Sequence, residues 1–331
     1  MAGTQPEETI MRAIAGIAMF VAAVSAAAQS YPVKPIRLVI PYPPGGVDIT
    51  ARLLMPTLEK ELGQPWVIDY RPGATGMIGV ENVAKSPADG YSLLMAVAFS
   101  WVLQPAVRKV APYDPIRDFT PISQVIEPLG VIVANNNFPP NNLTEMIEWT
   151  RRNPGKGAWA TSGIGSSWHI NSEMAKKLGK FDMLHTPFQG FGPMFPAILN
   201  GQIPIGMFAY TSIYPMITSG KVKLLGMMTA EGPLKAVALP GVQSLSDVAG
   251  VPQFVSDWIG VAGPAGLPDP IVRRVHAGLV KAATGPEFVE RAAREKALVV
   301  AGTPEQLAQR VRADFALSQR LVKETGIVLD D

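Results

Sequence analysis

Apolar positions along the chain alternate between short unbroken runs and helical stripes. Ile36–Ile40 reads Ile-Arg-Leu-Val-Ile, the pattern of a buried strand. Tyr42-Pro43-Pro44-Gly45-Gly46 breaks it. Asp48 is then expected to open and cap an amphipathic helix, with Ala51, Leu54, Met55, Leu58 and Leu62 on one stripe and Gly63 as the stop. Pro56 inside that helix predicts a kink. Further strands are expected at 66–69, 92–97, 130–134, 158–160, 183–186, 203–208, 222–228 and 258–262. Asn142-Leu143-Thr144-Glu145 resembles a capping box, as does Thr303 with Gln306 three residues on. Short helices are expected after Ser167 and after Gly192, with Pro193 in a first helical position, and another helix starts at Asp269-Pro270. The stretches around 98–121 and 229–256 are rich in proline and read as irregular. Alternating β and α units predict an α/β protein with mainly parallel sheets flanked by helices.

The N-terminus follows another rule. Arg12 precedes an apolar run from Ala13 to Val24, and Ser25-Ala26-Ala27-Ala28 follows. That order predicts a secretory signal peptide over residues 1–30, cut near Ala28, with Met11 a possible alternative start. The run falls short of the ~20 apolar residues that span a bilayer. Without cysteine there is no lipid anchor, so the chain is expected to be a diffusible periplasmic protein.

Composition narrows the chemistry. Of 331 residues, 29 are Lys or Arg and 27 Asp or Glu, and no basic run appears, so nucleic-acid binding through a phosphate-facing surface is not expected. The absence of cysteine removes disulfides, thiolate metal sites and cysteine nucleophiles. No phosphate-binding or nucleophile-elbow motif occurs, and His169, His185 and His276 are far apart in sequence. Neither a metal nor a cofactor is expected, and the chain is not read as an enzyme. Ser166 or Ser167 beside His169 lacks the orienting acid of a triad.

Three glycine-bearing loops remain, each where a strand meets a helix, which is where open α/β sheets bind ligands. The first is Pro41–Asp48. Its backbone amides at a helix start favour an anion, whereas Asp48 left free would repel one. The second, Ala160–His169, gathers hydroxyls and glycine amides in a small-anion cradle. The third runs from Phe188 to Pro193, where Gln189 offers an amide. Each also fits an ordinary turn. The spacings Gly163-x-Gly165-x-x-Trp168 and Gly190-x-Gly192-x-x-Phe195 fail the dinucleotide fingerprint.

At these loops the chain resembles the Bug-type, TctC-like extracytoplasmic receptors of tripartite tricarboxylate transporters. The resemblance rests on Pro35–Gly46, Arg71-Pro72-Gly73-Ala74, Ala88-Asp89-Gly90-Tyr91, Tyr113-Asp114-Pro115, Ser162-Gly163 through His169, and Gly201-Gln202, in that order. It implies a two-lobed, type II periplasmic binding protein. One lobe would hold 31–129 plus 253–331 and the other 130–252. It further implies a monomer that traps a small carboxylate through backbone amides and passes it to a membrane permease. A sensor presenting the same closed form and an exported serine hydrolase are the alternatives. Ligand contacts are expected at Tyr42, Pro44, Gly45, Gly46, Asp48, Ser100, Gly163, Ile164, Gly165, Ser166, Ser167, Trp168, His169, Gln189, Gly190 and Ala209.

The chain departs from the family pattern at several of these points. Its first loop is one residue shorter, at Pro43-Pro44-Gly45-Gly46-Val47-Asp48. Met77, Ile164, Trp168 and Ala209 stand where the family has polar or small residues. A drier pocket follows as an expectation, favouring an aromatic or short aliphatic monocarboxylate over citrate or aspartate, with packing as the alternative use of the same side chains.

Overall fold

The computed structural model describes residues 31–188, 190–229 and 232–327. The expected signal peptide and Gln189 lie outside the described residues.

The strands are β1 (Ile36–Ile40), β2 (Trp66–Tyr70), β3 (Ser92–Val97), β4 (Phe119–Pro128), β5 (Gly130–Ala134), β6 (Ala158–Thr161), β7 (Leu184–Pro187), β8 (Ile205–Ala209), β9 (Lys223–Met227), β10 (Ile259–Pro264) and β11 (Ala297–Val299). The α-helices are α1 (Gly46–Leu62), α2 (Met77–Ala84), α3 (Gln104–Val107), α4 (Leu143–Arg152), α5 (Ser167–Gly179), α6 (Met194–Leu199), α7 (Tyr210–Thr218), α8 (Leu245–Ala249), α9 (Asp269–Ala283), α10 (Pro286–Arg294) and α11 (Pro304–Thr325).

Two sheets organise the fold, one in the order β11-β4-β10-β3-β1-β2 and the other β7-β6-β8-β5-β9. Helices flank both, giving a two-lobed α/β architecture. The sheets are mixed rather than mainly parallel. In the first, β1 pairs in parallel with β2 and β3, whereas β10 runs antiparallel to β3 and β4. In the second, β6 pairs in parallel with β7 and β8, and β5 runs antiparallel to β8 and β9. The reason lies in the crossings. The chain leaves the first sheet through β4, enters the second at β5, and returns through β10, so these strands enter from the opposite end.

Local expectations fared unevenly. The helix expected at Asp48 begins two residues earlier, at Gly46, and continues through Pro56 as one element. Its C-terminus is Gly63 at φ 76, as the stop signal required. Pro193 sits just before α6 rather than at its first helical position. The stretch at 98–121 is irregular only over 108–118. It holds a wide π-type turn over Phe99–Leu103, then α3, then the first residues of β4. Likewise 229–256 contains a 3-10 turn and α8. At Thr303 the capping box is complete, with Gln306 bonded in both directions.

Apolar burial follows the two sheets. One cluster joins β1, β3, α1 and α9 through Ile36, Leu54, Leu93 and Val275. Another gathers Trp159, Trp168, Ile170, Met207 and Leu225 around the second sheet. Leu317, Leu321 and Val322 of α11 also enter that second cluster, so the C-terminal helix straps one lobe to the other. Among the described residues no helix is long and apolar enough to cross a membrane.

Candidate functional site

The first candidate loop follows β1. Gly45 precedes α1 at φ 167, an extended conformation, and no side chain caps the helix. Its first-turn amides are therefore without an intrahelical or side-chain partner, the ordinary condition of an uncapped helix start. Asp48 does not cap α1. Because the helix starts at Gly46, the Asp48 carboxylate points sideways, accepting from Arg52 Nε at 3.0 Å and from the Tyr70 hydroxyl. Its charge is thus paired with a cation and does not oppose an anion at the helix start.

Tyr42 and Ser100 close the floor on this side. Their hydroxyls share a hydrogen bond, and the Tyr113 hydroxyl donates to the Ser100 carbonyl. Burial pushes the Tyr42 phenol far above its usual range, so it stays protonated. Gly76 completes the packing: at φ 94, a Cβ there would lie 2.8 Å from Ser100 Cβ and 3.0 Å from Tyr42 Cε1. Ala74 and Thr75 beside it also have positive φ, at 44° and 55°. Strain of this kind collects at ligand sites, and it supplies a signal the sequence reading did not use.

The second loop leaves β6. Gly163 (φ 146) and Gly165 (φ 71) turn the chain. Ser166 caps α5 by accepting from the His169 backbone N–H at 3.1 Å. His169 Nδ1 accepts from the Gly165 N–H at 3.0 Å. His185, distant in sequence, stacks on His169 with ring centroids 3.8 Å apart, and its Nε2 bonds Thr161 Oγ1 at 2.6 Å. Burial pulls His169 down to about 4 and His185 to about 3, with Lys176 adding repulsion, so both rings are neutral near pH 7. The serine–histidine reading fails on geometry: neither Ser166 nor Ser167 is hydrogen-bonded to the His169 ring, whose Nδ1 is already taken by a backbone amide.

Ser167 reaches elsewhere. Its Oγ donates to Asp257 Oδ2 at 2.9 Å. Burial pushes the Asp257 carboxyl up to about 6, with the Ser167 hydroxyl pulling it back. Trp168, 4% exposed, packs against Gly130 and edge-on to Phe191. Met77 is buried in the first-lobe core, while Ile164 is 49% exposed. Two of the apolar departures are therefore packing residues. Gly190, at φ 88, ties the third loop to the second through a bond from its N–H to the Ser162 carbonyl at 3.1 Å. Ala209 precedes α7 and supplies no side-chain cap, while the Tyr210 N–H at the helix start donates to the Leu129 carbonyl at 2.8 Å.

The loops meet across the gap. A Cβ at Gly46 would lie 3.8 Å from Ser212 Oγ on α7, and one at Gly163 would lie 3.6 Å from the Thr75 side chain. Gln104 Nε2 donates to the Gly165 carbonyl at 3.2 Å, and Thr75 Oγ1 donates to Gln104 Oε1 at 3.2 Å. Thr75, Gln104, Ser212 and Asp257 were not picked out in the sequence: Thr75 lies in the glycine loop Gly73–Gly76, which was read only as part of the family pattern, and the other three lie outside the glycine loops. Two surface cavities, ≈ 300 Å³ beside Tyr113–Asp118 and ≈ 420 Å³ beside Arg151 and Lys180, have other linings. Among the described residues no cluster of three or more His, Asp or Glu side chains is placed to hold a metal.

Two lobes joined by crossing strands, with helix starts and hydroxyls facing one another over a gap, define a solute-binding protein of the periplasmic type. Residues 50–327 match the tripartite tricarboxylate transporter family receptor, TctC, and the chain belongs to that family. It is 30% identical to protein BugT of Bordetella pertussis over 330 residues, covering 97% of this chain and 99% of BugT. It is also similar to the solved structure of MatC from Rhodopseudomonas palustris with bound malate, at 29% identity and a TM-score of 0.78, covering 88% of this chain and 100% of MatC. A second R. palustris protein, solved with adipate, is similar at 26% identity and a TM-score of 0.82, covering 90% of this chain and 99% of that one. The family is one of transporter receptors.

Proposed function

We propose that this chain is a periplasmic receptor that captures a small carboxylate between its lobes and delivers it to a tripartite-type membrane permease. The lobes are read as 31–129 plus 253–331 and 130–252, and the working form as a monomer. The observation that carries the reading is the uncapped start of α1 facing the start of α7, so close that a Cβ at Gly46 would lie 3.8 Å from Ser212 Oγ. Both present positive dipole ends, though the first amide of α7, Tyr210 N–H, is taken by the Leu129 carbonyl at 2.8 Å, and Asp48 is paired with Arg52. Solved relatives hold malate and adipate, acids of the same headgroup.

The energetics suit such a role. Micromolar binding needs about −8 kcal/mol. Charge-assisted hydrogen bonds contribute roughly 1.5–3 kcal/mol each, so four or five supply about 6–15 kcal/mol against the cost of association. The preference for a monocarboxylate is supported by Ala209 and Ile164. Met77 and Trp168 no longer support it, since both are packed.

Thermal-shift measurements on the mature protein test the reading. Small carboxylic acids are expected to raise Tm, and their carboxamides, which lack the charge, are not. Equal protection by acid and amide, or by neither, would overturn it. Mass spectrometry of small molecules released from the purified protein would then name the ligand.

A further inference from the structure

We propose that Gln104 is a register latch, the side chain that fixes where the two lobes stop when they close; this rests on the division into lobes given above and not on the identity of the ligand. The contacts made by α5 and the loop before it fall into two kinds. Asn171 pairs with Val255, and Ser167 with Asp257. Both partners belong to the returning crossing just before β10, so these bonds tie α5 to the hinge itself. Nearer the gap, the Gly165 carbonyl accepts from Gln104 Nε2 at 3.2 Å, and a Cβ at Gly163 would lie 3.6 Å from the Thr75 side chain. Gln104 and Thr75 stand on the first lobe proper, one between β3 and β4 and the other between β2 and α2. Contacts of this second kind exist only while the lobes are together.

The seam around Gln104 is apolar. Leu103 and Val107 on the same stretch are fully buried in the cluster that holds Trp168, Met207 and Leu225 of the second lobe. Apolar contact is non-directional, so it holds the lobes together without fixing their alignment. Gln104, also fully buried, supplies the direction. Its Oε1 accepts from Thr75 Oγ1 at 3.2 Å and from Arg108 Nη2 at 3.3 Å, two donors of its own lobe. With the oxygen so engaged, the amide turns its N–H to the second lobe, where the Gly165 carbonyl meets it. Any other alignment of the seam leaves that donor and that acceptor buried and unmet. A single buried amide sets the register of coiled-coil seams for the same reason. Thr75 carries its hydroxyl to Gln104 from φ 55, a region that β-branched residues avoid. Such strain persists only where the surroundings over-determine it, and here Gln104 and Gly163 flank the residue.

Distance measurement on the mature protein tests this, after bound solutes are stripped by unfolding and refolding. The chain has no cysteine, so nitroxide labels on Lys60→Cys of α1 and Thr218→Cys of α7, both exposed, report the gap by double electron–electron resonance. A resolved population at the closed distance is expected in the labelled parent. Gln104→Leu should lower that population about tenfold, or spread it over more than about 2 Å, while Tm stays level or rises because leucine suits an apolar seam. Thr75→Val should act in the same direction, and Thr75→Ser, which keeps the hydroxyl, should retain the parent distribution. No closed population in the parent overturns the proposal. So does an unchanged distribution in Gln104→Leu, which would make the residue plain packing, and so does Thr75→Ser behaving as Thr75→Val does. If Thr75→Val fails to fold, Gln104→Leu decides alone. Carboxylate binding can fail without moving these distances, and the latch can fail with binding intact, so the two readings fall separately.

Discussion

The helices α1 and α5 both enter the gap from the end of a strand, and they are finished in opposite ways. α1 starts at two glycines with no side chain on its amides. α5 starts at Ser166, which takes the His169 N–H for itself, and its next side chain, Ser167, reaches across to Asp257. The contrast divides the labour. An uncapped start leaves its donors for a ligand, while a capped start is stable on its own and uses its side chains to tie the lobes together. The α5 end is also anchored from behind: Asn171 pairs with Val255 through both backbone groups, at 2.8 and 3.0 Å.

If α5 is a structural strut, removing its buried anchor should cost most. Trp168→Ala deletes an indole that is 4% exposed among Gly130, Met228 and Phe191. The expected loss is about 3–5 kcal/mol in chemical denaturation, the usual range for a buried tryptophan. A loss below about 1 kcal/mol would mean that the ring is a ligand platform, free to move, and not a strut.

The complementary test fills the open start. Gly45 is extended at φ 167, so other residues fit there without backbone strain. Gly45→Asp would supply α1 with its own carboxylate cap. Stability should stay level or rise by a few tenths of a kcal/mol. Carboxylate affinity should fall by about tenfold or more, because a fixed negative charge near 4 Å opposes the ligand by about 1–4 kcal/mol. Undiminished affinity in isothermal titration would remove α1 from the binding site.

These two ends were unequally legible in the sequence. The strand–glycine–helix pattern at 40–46 and 161–167 placed both loops, since hydrophobic runs, glycine and a cap residue are local signals. What α5 does with them is not local. The pairing of His169 with His185 depends on β6 and β7 lying side by side in parallel, with Trp159 opposite His185. The role of Asp257 depends on β10 returning antiparallel to β3, and nothing in Val-Ser-Asp-Trp announces that. Asp48 was misplaced by two residues of helix register, which was enough to turn an expected cap into the partner of Arg52 and Tyr70. Mainly parallel sheets were expected because local β–α alternation does not reveal crossing strands.

The histidine stack makes the α5 end sensitive to pH. Folded-state values of about 4 and 3 lie below the ordinary 6.5. As pH falls below 6.5 the unfolded chain therefore takes up protons that the folded chain refuses, and stability declines. The loss reaches about 2 kcal/mol per ring at pH 5. Asp257 acts in the other direction. Its folded value of about 6 exceeds the ordinary 3.8, so the folded protein protonates first and recovers about 1 kcal/mol between pH 7 and 5. Denaturation midpoints should thus fall from pH 7 to pH 5, and His169→Gln combined with His185→Gln should flatten or reverse the slope. An unchanged slope in the double variant would place the pH dependence outside the stack.

The smallest effect belongs to the cap itself. Ser166→Ala removes one acceptor from the His169 N–H and should cost about 1 kcal/mol of stability. The size alone says little, but its pairing with ligand binding is informative. The variant frees a donor at the start of α5, making that end resemble α1. If the ligand's head is bound at α1, affinity should change by less than about threefold, because the new donor lies on the opposite wall. If instead both helix starts converge on one carboxylate, the freed His169 amide becomes a further donor to it, and affinity should rise although the fold is weakened. Opposite signs for stability and affinity would therefore merge the two ends into a single site, whereas a stability loss alone keeps the strut and the cradle separate.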